Sequence, residues 1–125
     1  MVLGRREVRW VASSHKDLRE FPEDVQDLVG FGLYQAQIGK KHPNAKPLKG
    51  FGGSQILELL DDHDGDAYRC VYTVRFEAAI YVLHAFQKKS KRGIATPQAD
   101  MDLIRTRLKL AEEDHRRRQK DKRNE

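Results

Sequence analysis

With 125 residues and a formal net charge of +5, the chain has the size of one domain with a single modest core. No run approaches the roughly 20 apolar residues of a membrane helix, no signal peptide is expected before the first predicted strand, and the sole cysteine, Cys70, fits a reducing compartment such as the cytoplasm. The charge is lopsided: residues 1–86 hold 11 Lys/Arg against 12 Asp/Glu, while residues 87–125 hold 13 against 7, a field that suits a polyanion or an acidic protein.

In chain order, Arg5–Ser13 alternates Val8 and Trp10 with charged neighbours and reads as a strand. Ser13 or Ser14 can cap a short helical turn through Arg19. A second helix starts at Pro22, with Glu23 and Asp24 favouring its dipole and Val25, Leu28, Val29, Leu33 and Ala36 forming one apolar stripe. Gly30 and Gly32 inside it point to close packing against a neighbour. Gly39–Gly53 reads as a loop, in which Lys49 is a candidate phosphate contact and Lys40, Lys41 and Lys46 are solvated. Gln55–Leu60 is the next strand. Asp61–Asp66 (DDHDGD) lacks the spacing of a calcium loop and reads as a strand connection with Gly65 in its turn.

Two apolar runs follow, Tyr68–Phe76 and Ile80–Phe86, and period-two alternation makes them strands. A tight antiparallel hairpin centred on Glu77-Ala78 sets Arg75 opposite Ile80, Val71 opposite His84 and Arg69 opposite Phe86. That register gives one apolar face of Tyr68, Cys70, Tyr72, Val74 and Phe76 with Tyr81, Leu83 and Ala85. The other face carries Arg69, Thr73, Arg75, His84 and Lys88. After a basic exit, Thr96 is expected to cap a final helix starting at Pro97, with Met101, Ile104, Leu108 and Ala111 on its inner stripe. Leu103 and Leu110 lie on nearly the opposite side and are candidates for a partner contact. Residues 1–111 form the domain, and 112–125 a charged helix end or disordered tail. The expected fold class is α+β, with helices packed on an antiparallel sheet.

P-loop, CxxC, HExxH and GxSxG motifs are all missing, which leaves nucleotide hydrolysis, zinc chemistry and the common serine hydrolases without their signatures. The polar face suits RNA backbone cleavage with neither cofactor nor metal. That reaction needs a base for a 2′-OH, cations for the phosphate and an acid for the leaving oxygen. Arg69 and Lys88 can stabilise the phosphate, His84 can move a proton, and Glu58 can act as base if the preceding strand is in register. Phe86 can stack a base, although it equally fits the core, and Lys89, Lys91 and Arg92 can position RNA.

YRCVYTV followed by IYVLHAFQKKSKRGIATP resembles the phage-derived HigB/RelE-type toxins of bacterial type II toxin–antitoxin pairs, within the RelE/ParE superfamily. The similarity runs from SSHKDL through PLKGFGG and ILEL to the last helix, and Tyr68-Arg69 and HAFQKKSK are its most specific parts. The resemblance implies a small α+β fold, ribosome-dependent mRNA cleavage and a tightly bound antitoxin, here expected to be of the helix-turn-helix type. It also implies that Arg69 meets the scissile phosphate and that Lys88 is the basic residue ending the last hairpin strand. Leu60, where relatives usually have arginine, and Glu58, where they often have lysine, depart from the pattern and leave room for a weakened or altered activity. Two alternatives stand beside this reading: a toxin of the same fold that poisons a protein such as DNA gyrase, and a non-catalytic module that binds nucleic acid or a partner.

Overall fold

Strand-forming runs and two apolar helical stripes assemble into a sheet covered on both faces. The computed structural model describes residues 5–88 and 96–124. Its elements are β1 (Glu7–Trp10), α1 (Ser14–Leu18), α2 (Glu23–Gln37), β2 (Ala45–Pro47), β3 (Ile56–His63), β4 (Asp66–Thr73), β5 (Ala79–Lys88) and α3 (Gln98–Arg123). The fold class is α+β, as expected. The five strands lie in the order β1-β5-β4-β3-β2.

The sheet is mixed where an antiparallel one was expected, because β1 runs parallel to β5, with Glu7 beside Ala79 and Trp10 beside Val82. Alternation reports which face a side chain takes and is silent on strand direction. The chain leaves β1 through α1 and α2, crosses the sheet and begins again at its far edge, so β5 returns beside β1 with no tight turn between them. That far edge is β2, three residues inside the segment expected to be loop; it pairs antiparallel with β3, Lys46 facing Glu58. The β3–β4 hairpin closes on Asp64-Gly65, both with positive φ (50° and 86°), the two-residue turn that matches strand twist.

The α2 stripe of Val25, Val29, Leu33 and Ala36 packs on Leu57, Leu59, Cys70, Tyr72, Ile80 and Val82. Gly32 lets the helix approach: a Cβ there would stand 2.7 Å from a Leu59 methyl carbon, whereas one at Gly30 would meet nothing within 4 Å. Close packing therefore explains Gly32 and not Gly30. Cys70 lies under this helix, and burial pushes its thiol up to about 12. On the opposite face α3 lays Met101, Ile104, Leu108 and Ala111 over Val71, Tyr81 and Leu83.

The predicted β4–β5 register holds at Arg69↔Phe86 and Val71↔His84, then breaks: a bulge between Val71 and Tyr72 leaves Leu83 unmatched and pairs Tyr72 with Val82 and Thr73 with Tyr81. Tyr81 and Leu83 consequently pack beneath α3 and not with Cys70 and Tyr72, as strict alternation had placed them. Pairing stops at Thr73, so Arg75 never faces Ile80, and a loop replaces the tight Glu77-Ala78 hairpin.

Candidate functional site

Arg69 on β4 and Phe86, His84 and Lys88 on β5 point to the face that α3 covers, and β3 adds Glu58, paired with Val71 next to Arg69. The charged side chains expected on an open polar face are in fact buried: Glu58, Arg69, His84 and Lys88 are each below 10% exposed. The roof is the start of α3. Arg69 Nη1 donates to both Glu58 carboxylate oxygens at 3.2 Å and to Thr96 Oγ1 at 3.3 Å. The Thr96 hydroxyl in turn donates to Glu58 Oε2 at 3.2 Å. Thr96 thus spends its side chain on the ion pair, and α3 is capped at Pro97 without a side-chain hydrogen bond.

Lys88 lies within electrostatic reach of Arg69, Glu58 and Asp100; its ammonium is held below the usual lysine range by desolvation and by the Arg69 charge. His84 Nε2 is 2.8 Å from Asp100 Oδ1, and its Nδ1 is 3.5 Å from Arg107 Nη1. Burial lowers the His84 pKa against the opposing pull of Asp100. Phe86 is half-buried and stacks on the His84 ring, centroids 4.5 Å apart. That contact uses one ring face, so a base would have only the other.

Arg107 was missed by reading the sequence. It anchors α3 to the sheet by donating to the Leu83 carbonyl at 3.0 Å and to Ser13 Oγ at 3.1 Å, and Ser13 passes a 2.7 Å hydrogen bond to Asp17. The signal was available: Asp100 and Arg107 fall on the same helical stripe as Ile104 and Ala111, where a charged residue needs a partner. Of the remaining candidates, Lys49 is exposed in the β2–β3 loop. Its neighbour Gly50 touches α3, where a Cβ would stand 2.9 Å from the Met101 methyl carbon. Leu110 is 45% exposed and Leu103 is half-buried. Lys89, Lys91 and Arg92 lie outside the described residues.

Fold and site together define a small α+β domain that holds a cluster of paired charges between the sheet and the first turns of its last helix. The chain belongs to the phage-derived Gp49-like family (DUF891), whose model matches residues 16–109. Among solved structures it is similar to the RelBE2 toxin–antitoxin complex from Mycobacterium tuberculosis, at 18% identity and a TM-score of 0.42, covering 71% of this chain and 98% of that one. No curated protein matches. Among the described residues, no helix is long and apolar enough to cross a membrane.

Proposed function

We propose that this chain is the toxin of a type II toxin–antitoxin pair, of the HigB/RelE kind, and that it cleaves mRNA on the ribosome by metal-independent chemistry. The observation that supports this most is the convergence of Arg69, Glu58, Lys88 and His84 on one sheet face. In the proposed reaction a 2′-oxygen attacks the neighbouring phosphorus, the P–O5′ bond breaks and a cyclic phosphate is left. Arg69 and Lys88 stabilise the phosphate oxygens, as preorganised cations do in a site shielded from water. Glu58 takes the 2′-OH proton once the phosphate displaces it from Arg69. The proton for the 5′-oxygen comes from Lys88, whose lowered pKa eases its release, or from His84. Lys49, Phe86, Lys89, Lys91 and Arg92 are assigned to RNA binding.

The cognate antitoxin, of helix-turn-helix type, is assigned to Leu103 and Leu110. Leu110 lines a groove of about 480 Å³ with the outer edge of β1, including Val8 and Trp10. Induced expression, followed by mapping of mRNA 5′ ends on ribosomes, tests the activity. The expected result is growth arrest with cut messages, relieved by Lys88→Ala and by an Arg69 variant that stays folded. Folded variants that remain fully toxic would overturn the site assignment.

The burial of Arg69 and Lys88 favours a second reading, a module that binds without cutting. Intact messages and normal growth under the same induction would establish it. Growth arrest with intact messages and DNA-damage signalling would point to a protein target such as DNA gyrase.

A further inference from the structure

The last turns of α3 carry a concentration of charge for which the buried cluster has no use. The helix is packed as far as His115, and three interactions root it there. Arg75 pairs with Glu112 at 2.7 Å, Tyr81 donates to Asp114 at 2.6 Å, and the His115 ring lies 4.5 Å from Phe76. Beyond that point residues 116–124 remain helical to Arg123 and are all exposed. They hold six cations, Arg116, Arg117, Arg118, Lys120, Lys122 and Arg123, against one acid, Asp121.

Cations at a helix C-terminus complement its dipole, but that effect fades within the last turn. It covers Lys120, Lys122 and Arg123; Arg117 and Arg118 pair with Asp114, and Arg116 is left with neither role. At 100° per residue the six point to every side of the helix, so they do not form a solvated face opposite a buried one. The segment also lacks any apolar residue: its other members are Gln119 and Asn124. Protein hot spots are aromatic or arginine anchors seated in desolvated pockets; this segment offers arginines but no aromatic or aliphatic neighbour to keep water from them. A polymer of closely spaced phosphates needs only charge, because it gains its affinity from released counterions.

We infer that residues 116–124 of α3 are a second nucleic-acid contact, which grips the phosphate backbone of structured RNA about 25–35 Å along the helix from the roof of the candidate site. The choice of RNA rests on the proposed cleavage function; the polyphosphate chemistry does not. Arg117 and Arg118 share Asp114 at 2.6 and 2.8 Å, so the four cations outside that pairing are the ones to change.

The test compares the purified full chain with a variant carrying Arg116→Gln, Lys120→Gln, Lys122→Gln and Arg123→Gln, since glutamine keeps the helix. Binding to a 16-base-pair RNA duplex is titrated across salt concentrations, with the matching DNA duplex and polyglutamate as competitors. The variant is expected to bind RNA at least tenfold more weakly. Its log–log salt slope should be shallower by about 2 to 4, near one unit for each phosphate that the variant no longer neutralises. Its circular dichroism spectrum and thermal midpoint should be unchanged. An unchanged slope, a preference for the DNA duplex, or polyglutamate competing as well as RNA would each overturn the proposal. Duplex binding is read without cleavage, so failure here leaves the cleavage reading standing, and loss of cleavage leaves this one.

Discussion

Separating Glu58 from Arg69 should cost far more than losing an ordinary ion pair, and the structure says which half costs more. Exposed pairs contribute at most about 1 kcal/mol because water screens them. Here the two side chains are only 9% and 10% exposed, so removing either partner strands a charge in a poorly solvated place, at roughly 3–5 kcal/mol. That is a fifth or more of the ~5–15 kcal/mol holding a domain of this kind together. Arg69→Met should fall at the low end, near 3 kcal/mol, because the Lys88 ammonium remains within reach of Glu58. Glu58→Leu should cost more, toward about 5 kcal/mol, because it removes the carboxylate that offsets the repulsion between Arg69 and Lys88. Removing both charges together, with side chains of similar volume, should return stability to within about 1 kcal/mol of the parent. Urea unfolding of the four proteins yields the cycle directly. An Arg69→Met cost below about 1 kcal/mol, or the two single costs in the reverse order, would refute the picture of a desolvated, mutually dependent pair. The same cycle also guards the functional assay: Arg69→Ala alone endangers the fold, so loss of toxicity is best read in the stable double variant.

The two helical glycines should respond in opposite directions. Gly32→Ala drives a Cβ to within 2.8 Å of both terminal carbons of buried Leu59 and should destabilise by up to about 2 kcal/mol after the helical gain. Gly30→Ala meets nothing and should stabilise by about 0.5–1 kcal/mol; equal effects in thermal melts would exclude the packing argument. The lowered pKa of His84 sets the pH response. The folded state takes up its proton less readily than the unfolded chain, so stability is complete above about pH 6.5. It declines as pH falls from there toward the folded pKa, by no more than ~1.4 kcal/mol per pH unit for this one group. His84→Gln should flatten that acid limb; an identical limb in both proteins would mean His84 is not its source.

What could be read without coordinates follows from what side-chain pattern encodes. The α2 stripe, the Asp64-Gly65 turn and the strand pair at Arg69↔Phe86 are local, and each carries its own signal in residue type or period. The direction of β1 and the presence of β2 are not local. Glu7–Trp10 alternates identically whether parallel or antiparallel, and Ala45–Pro47 is a strand only because β3 offers it an edge. The bulge at Leu83 matters most for function. One extra residue keeps His84 on the Arg69 face while bringing Leu83 and Tyr81 there too. Strict alternation would have put Ile80 and Val82 on that face in their place. With Tyr81 and Leu83 there instead, the floor on which Ile104 and Ala111 pack carries a larger ring and the Tyr81 hydroxyl that donates to Asp114 of α3. Once docked, the helix brings Thr96 to the Glu58–Arg69 pair and Asp100 and Arg107 to His84, supplying the partners that buried charges require. The charge cluster was therefore legible as residue identities, but its enclosure was not, because the partners that enclose it, Thr96, Asp100 and Arg107, come from a helix distant in sequence, and the β5 residues beneath that helix are set by a single unpaired position.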